Sequence, residues 1–336
     1  MTLFAPSAFP DMATACSVDV PTGCGFTFPA GQHSIAFDNV IVTDLQATRC
    51  YGGATGHAQT GNVGFASVTF GDAAGVLTTG IMPILFYYKI TANSTNPNQC
   101  DDSGAVVNAP PQRGWFGVNT QADGVVVGGI LATGQSPLCA QGSSSTCLVV
   151  SVFNFLQYAN MLDAGFLLTH EALQSCSISS GTCLAEPMLT VGLTSAQTAG
   201  LTSMPLLCPS TTPLVGFPNC AANIANSMTT VTAADGSNAT TFGTPMLFDS
   251  GTPNMILAPP AGVTLPTTAG TNVLEGNEKV LITLPTGYEF SYLTTTSGTD
   301  ETIVNVTGTG RNIVGIDFFQ NHDFYIDLTT SAEGWR

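Results

Sequence analysis

The sequence predicts a mainly β protein folded as two domains. Three observations carry that expectation: short runs rich in Val, Ile, Thr, Phe and Tyr, punctuation by Gly, Asn, Asp and Pro, and a length of 336 residues. The runs include "HSIAFDNVIVTDL" (33–45), "VGFASVTFG" (63–71), "PILFYYKIT" (83–91), "KVLITLP" (279–285) and "DFYIDLT" (323–329). "GVVVGGILATG" at 124–134 is short and broken by glycine, which fits a buried strand pair or a strand and turn. One segment has helical spacing: in "SVFNFLQYANMLDAG" (151–165), Val152, Phe155, Leu156, Ala159 and Leu162 recur on one face. Ser151 would cap that helix and Gly165 would stop it. A division near "CLAEPMLTVG" (183–192) separates the helix from a second series of strands, giving expected domains at 1–186 and 187–336.

Charge is scarce and one-sided. Only 8% of residues are charged, and six Lys+Arg against 22 Asp+Glu give a formal charge of −16. Such a surface repels phosphate backbones and anionic lipid, so a nucleic-acid partner is not expected. Mean hydropathy is +0.28. Even so, no apolar run approaches the roughly 18 residues that a membrane span needs.

The chain has ten cysteines. In a weakly charged, Ser/Thr/Gly-rich sequence they point to an oxidising compartment, and hence to a secreted or extracellular protein or one of an acidic vesicle. Four pairs are close in sequence: Cys16 with Cys24, Cys139 with Cys147, Cys176 with Cys183, and Cys208 with Cys220. Closing them as local loops would leave Cys50 with Cys100, although sequence alone does not fix connectivity. No C-x-x-C occurs, so zinc ribbons and dithiol redox chemistry have no support. Asn93, Asn238 and Asn305 each begin an N-x-[ST] sequon, a pattern that Thr-rich chains also make by chance. "MTLFAPSAFPDM" has neither the basic nor the apolar region of a secretion signal.

The chemistry is concentrated in "MLFDSGTPNMIL", 246–257. A carboxylate flanked by hydroxyls and glycine, between two hydrophobic strands, can be locked in orientation by hydrogen bonds. Glycine lets a second backbone approach. Two such loops meeting face to face bring two carboxyls close enough to share one proton. One then acts as general base toward water while the other donates to the substrate carbonyl, which hydrolyses an amide without a covalent intermediate.

This stretch resembles the active-site motif of the pepsin-like aspartic proteases at every position: apolar residues, Asp249, Ser250, Gly251, Thr252, Pro253, then alternating apolar residues. "NIVGIDFFQNHDFYIDLTTSAEGWR" (312–336) resembles that family's closing segment, with Ile313, Val314 and Gly315 as the turn that crosses behind the catalytic loop. Phe318, Phe319, Asp327 and Gly334 match its later positions. "CYGGATGHAQTGNVGFASVTFG" (50–71) is similar to the flap hairpin, which makes Tyr51 and Gly52 the substrate-covering pair. "RGWFGVN" (113–119), "VFNFLQYANMLDAGFLL" (152–168) and "PMLTVGLTS" (187–195) resemble the first lobe's glycine turn, its closing helix and strand, and the start of the second lobe; Arg113 and Trp115 are unusual in that glycine turn. The resemblance implies a two-lobed fold with a cleft between the lobes and acid endopeptidase activity. It also implies an extended peptide or protein substrate, a monomer, and no cofactor or metal.

The second loop of the dyad is not visible. "NMILAPP" (254–260) echoes "MTLFAPS" (1–7). If Met1 matches Met255, the partner D-[ST]-G belongs about six residues before the present start. Two expectations follow: a truncated form of a longer, signal-bearing precursor, which the missing leader favours, or an inactive relative that binds a protein or carbohydrate. Either way, the chain as it stands should have little or no activity. A third reading is a secreted β-rich structural or surface protein in which D-S-G-T is coincidental.

Other aspartates fit poorly. Asp102 follows Gln99, Cys100 and Asp101 rather than a hydrophobic strand, and Asp44 lacks a following hydroxyl and glycine, so both read as surface or turn residues. His33, His57, His170 and His322 are scattered on loop-like sequence and read as solvated. Trp115 and the aromatics of 318–325 read as core. "THEAL" (169–173) lacks a second zinc-helix histidine, no G-x-S-x-G elbow occurs, and "GTGRNIVG" (308–315) has no βαβ context.

Overall fold

A computed structural model describes residues 2–51, 57–72, 75–92, 104–107, 125–128, 146–149, 165–170, 189–211, 218–221, 223–249, 252, 254–296, 301–305, 310–327 and 330–336. The protein is mainly β, as its strand-forming runs require, and it divides into two compact units. One is built mainly from residues 1–115 and 122–159, the other mainly from 160–210 and 219–336. The expected helix over 151–165 lies outside the described residues, apart from Gly165.

The first unit centres on a six-stranded sheet. Its strands are β1 (Thr2–Phe4), β2 (Ser34–Phe37), β3 (Val40–Tyr51), β4 (His57–Ala66) and β5 (Met82–Ala92), in the order β1-β5-β4-β3-β2, with Ala105–Val106 also pairing β5. The run 33–45 is therefore not one strand. It folds back at Asp38, which has φ 49°, and Phe37 pairs with Val40 across the turn. Asp and Asn tolerate that left-handed conformation, so "DN" between apolar residues makes a hairpin.

β5 is buried along nearly its whole length, which explains its unbroken apolar run. Met82, Ile84, Phe86 and Tyr88 pack with Phe9, Ile35 and Val42, and each fully buried side chain of this size stabilises by roughly 1.5–3 kcal/mol. The Cys16–Cys24 disulfide closes a loop at the edge of this core, as the local pairing expected. Each other proposed pair includes cysteines whose side chains lie outside the described residues.

The second unit holds two large sheets. The five-stranded one uses β6 (Gly165–Leu168), β7 (Leu189–Val191), β8 (Thr202–Pro205), β16 (Phe324–Asp327) and β17 (Ala332–Trp335), ordered β7-β6-β16-β17-β8. The seven-stranded one uses β9 (Asn223–Thr232), β10 (Ala239–Phe248), β11 (Met255–Leu257), β12 (Lys279–Thr283), β13 (Glu289–Leu293), β14 (Thr302–Val304) and β15 (Asn312–Val314). Its order is β13-β12-β9-β10-β15-β11-β14. Helix α1 (Ile316–Asn321) follows β15 directly. Phe248, at the end of β10, packs against Phe318 at 4.9 Å, Trp335 at 5.3 Å and Phe324 at 5.4 Å, so the expected aromatic core of 318–325 forms here.

The faint sequence echo has a structural counterpart. β1 runs parallel to β5 (Thr2 opposite Leu85), and β11 runs parallel to β14 (Met255 opposite Thr302). Each is followed by Ala-Pro, with Ala5 and Ala258 both buried. Aligned on that Ala-Pro, Thr2 matches Met255, one residue off the expected match of Met1.

Candidate functional site

The loop that begins at Asp249 is positioned by an insertion. β10 leads into it and β11 leads out, yet the two do not pair with each other. β15 lies between them, parallel to β10 (Phe248 opposite Val314) and antiparallel to β11 (Ile256 opposite Ile313). The Asp249 N–H continues the ladder by donating to the Val314 carbonyl at 2.9 Å.

Inside the loop, the Thr252 N–H donates to the Asp249 carbonyl at 3.1 Å, closing a turn. The Thr252 Oγ1 hydroxyl donates to Asp249 Oδ2 at 2.8 Å. The carboxyl is partly buried, so one of its oxygens is fixed by the loop's own hydroxyl. Asn254 Nδ2 donates to the Glu301 carbonyl at 3.3 Å. Ser250, Gly251 and Pro253 lie outside the described residues.

Gly315 is required by close approach. A Cβ built there would fall 2.5 Å from the Asn254 carbonyl oxygen and 2.7 Å from that of Thr252, which real Cβ atoms essentially never do. The Ile313-Val314-Gly315 turn thus crosses against the 249–254 loop, as the sequence expected.

Sequence reasoning missed Asn312. It is fully buried at the head of β15; its Oδ1 accepts from the Ala258 N–H at 2.8 Å, and its Nδ2 donates to Thr229 Oγ1 at 2.9 Å. One side chain therefore ties β15 to β9 and to the chain leaving β11. The available signal was a polar residue opening the apolar run "NIVG".

Tyr51 ends β3 and pairs with His57 at the start of β4, so the arms of this hairpin are residues 40–51 and 57–66, and it begins ten residues before the expected 50–71. The Tyr51 side chain and Gly52 lie outside the described residues. Asp102 and Trp115 do too. Asp44 sits on the surface with its Oδ2 2.7 Å from His33 Nδ1, in keeping with a surface role.

The expectation of solvated histidines is corrected for two of the four. His170 Nδ1 lies 2.5 Å from Oδ1 of Asp323, whose side chain is only 1% exposed, and the His170 N–H donates to the same oxygen at 3.1 Å. Arg336 Nη2 donates to the other carboxyl oxygen. Burial pushes the Asp323 pKa up, but these donors and the arginine charge outweigh it and hold it below the ordinary carboxylate value. His322 is half-buried and stacks on Phe318 at 4.5 Å. Burial, then the nearby His170, lowers its pKa. Burial and then the Asp323 charge push Tyr288 up to about 12. Tyr288 therefore keeps its proton, and its hydroxyl is hydrogen-bonded to His322 Nδ1 at 2.8 Å.

Two further carboxyls are buried. Glu333 is fully inaccessible and neither of its oxygens has a hydrogen-bond partner; burial pushes its pKa up to about 8. Glu278 is shifted upward, first by burial and then by Glu275 and Asp235. Among the described residues no group of three or more His, Cys, Asp or Glu is placed to hold a metal ion. Nor is any helix among them long and apolar enough to cross a membrane.

No protein-family model matches the chain, and no curated protein matches it in sequence. Among solved structures it is similar to an aspartic proteinase from Irpex lacteus, with 15% identity and a TM-score of 0.49 over 96% of this chain and 87% of the other. It is also similar to Basic 7S globulin from soybean, with 12% identity and a TM-score of 0.43 over 96% of this chain and 76% of the other.

Proposed function

We propose that this chain is a pepsin-like aspartic endopeptidase by fold and chemistry, with Asp249 as one carboxyl of a proton-sharing pair. The observation that carries this reading is the Asp249 loop itself. It holds a partly buried carboxyl fixed by Thr252, between two strands separated by β15, with Gly315 admitting the crossing. Ser250 and Gly251 complete the loop, and Tyr51 and Gly52 cover an extended peptide. The protein acts as a monomer in a secreted or acidic vesicular setting, and the Cys16–Cys24 disulfide supports an oxidising one.

One carboxyl cannot share a proton with itself. Residues 1–336 contain one D-S-G-T in a hydrophobic frame, so this chain alone should not hydrolyse peptides. The repeat supplies a test. A copy of residues 246–254 is fused directly before Thr2, the position matching Met255. Cleavage of a denatured protein at acid pH is then followed with and without pepstatin. The extended chain is expected to cleave in a pepstatin-sensitive way, and Asp249→Asn to abolish the gain. Cleavage that survives Asp249→Asn would sink the assignment. So would a folded extended chain that neither cleaves nor binds pepstatin.

A second reading is a non-catalytic pepsin-fold protein that binds an extracellular partner. On that reading the protein isolated from its source is inactive at every acid pH, and Asp249→Asn leaves partner binding unchanged.

A further inference from the structure

We propose that Asn238 is an N-glycosylation site and that Asn305, in an equally good sequon, is not. Both begin Asn-x-Thr: Asn238-Ala239-Thr240 and Asn305-Val306-Thr307. The fold treats the two side chains differently.

Asn238 closes the turn between β9 and β10, and residues 234–239 are all exposed. The turn is ordered by its own bonds. The Ala233 N–H donates to the Asn238 carbonyl at 2.9 Å, the Gly236 N–H donates to the Ala233 carbonyl at 2.7 Å, and Gly236 takes φ 73°. Ser237 N–H donates to Asp235 Oδ1 at 2.8 Å. The Asn238 amide is left at the tip, donating through Nδ2 to the exposed Ser237 hydroxyl at 3.1 Å. A large saccharide there meets only water, which is where such groups are tolerated.

Asn305 directly follows β14, beside the end of β11. Its N–H donates to the Leu257 carbonyl at 2.7 Å, its side chain is partly buried, and its Nδ2 lies 3.7 Å from where a Cβ on Gly310 would be. A glycan on that amide would have to displace the chain at Gly310, beside the end of the β11–β14 pair.

The reaction forms one bond and breaks one. Asn238 Nδ2 attacks C1 of an oligosaccharide carried on a polyprenyl diphosphate. The C1–O bond to diphosphate breaks, polyprenyl diphosphate leaves, and one amide proton passes to a base of the transferase. Nothing is oxidised or reduced. The Thr240 hydroxyl, two residues on, is what the transferase recognises. The glycan would not obstruct the loop described above. Asn238 and Asp249 flank opposite ends of the ten-residue β10, roughly 30 Å apart along the strand.

The test uses the full chain behind a cleavable secretion leader in a eukaryotic host. A glycan-releasing amidase in heavy-oxygen water converts each glycosylated Asn to a mass-tagged Asp, read by peptide mass spectrometry. The expected result is a tag at position 238 and none at 305. Asn238→Gln and Thr240→Ala should each remove one glycan step on a gel, Thr240→Ser should keep it, and Asn305→Gln should change nothing. An untagged 238 peptide overturns the proposal, and so does a tag at 305 in secreted protein. If little is secreted, the 238 peptide of material retained in the secretory pathway gives the same answer. Asp249→Asn should keep the glycan, so failure here is separable from failure of the protease reading.

Discussion

The loop at 249–254 and the C-terminal hairpin at 323–336 hold carboxyl groups in opposite ways. Asp249 is partly buried, with one oxygen fixed by a hydroxyl and a strand end for support. The hairpin instead takes two carboxyls, Asp323 and Glu333, out of water. Asp323 stays charged because His170 and Arg336 donate to it, whereas Glu333, ten positions on, has no donor and is kept protonated by burial. Desolvating a carboxylate is tolerated only if partners replace the lost water or a proton removes the charge. The hairpin uses both solutions at fully buried carboxyls to hold the second unit together, whereas the loop orients a carboxyl that stays partly exposed. A carboxyl meant for chemistry must be oriented without being buried out of reach.

The sharpest break of this contrast is at Glu333. Its folded-state pKa of about 8 lies above the ordinary 4.5, so the folded state binds one more proton than the unfolded state between those values. Stability from this group is fully present below about 4.5 and is lost as pH rises toward 8, at roughly 1.4 kcal/mol per pH unit and up to roughly 5 kcal/mol in all. Glu333→Gln cannot ionise, so its urea midpoint should be nearly flat over that range, while the native midpoint falls. Equal slopes for the two proteins would mean that Glu333 has a partner or water after all.

Asp323 should respond with the opposite sign. Its pKa is lowered, so the stability it contributes is present above its ordinary value of 3.8 and lost as pH falls through the folded value. Asp323→Asn turns one accepting oxygen into a donor facing Arg336 or His170, and breaking a buried pair from one side costs about 3 kcal/mol. The loss should be largest near neutral pH and should shrink in acid, as read by thermal melts across pH. A uniform loss at every pH would assign Asp323 a packing role only.

Much of this was legible in the sequence, and what was not has physical reasons. Strand-forming runs and their punctuation predicted the β class, and "MLFDSGTPNMIL" marked the loop, because hydrophobic framing is a local signal. The hairpin inside 33–45 was also local, written in Asp38-Asn39. The Asp323 cluster was not, since His170 and Asp323 are 153 positions apart and no spacing rule joins them. Asn312 hid for the same reason, its partners Thr229 and Ala258 lying 83 and 54 positions away. Glu333 was invisible because its neighbours in "SAEGW" look like an exposed turn, and only the pairing of β17 with β8 and β16 encloses it.

The smallest and most local effect belongs to the loop. Thr252→Val keeps the shape of the side chain but removes the hydroxyl that donates to Asp249 Oδ2. A single hydrogen bond of this kind contributes about 1 kcal/mol, or somewhat more when the acceptor is charged. Thr230→Val is a suitable control, because its hydroxyl pairs with that of Thr241 on an exposed stretch of sheet and should cost less. In the chain extended by a second copy of the loop, Thr252→Val should lower kcat with little change in KM. A hydroxyl that orients a carboxyl acts on the chemical step and does not touch substrate. If Thr252→Val and Thr230→Val have equal effects on stability and the rate is unchanged, the hydroxyl does not orient the carboxyl. The contrast between loop and hairpin would then reduce to a difference in burial alone.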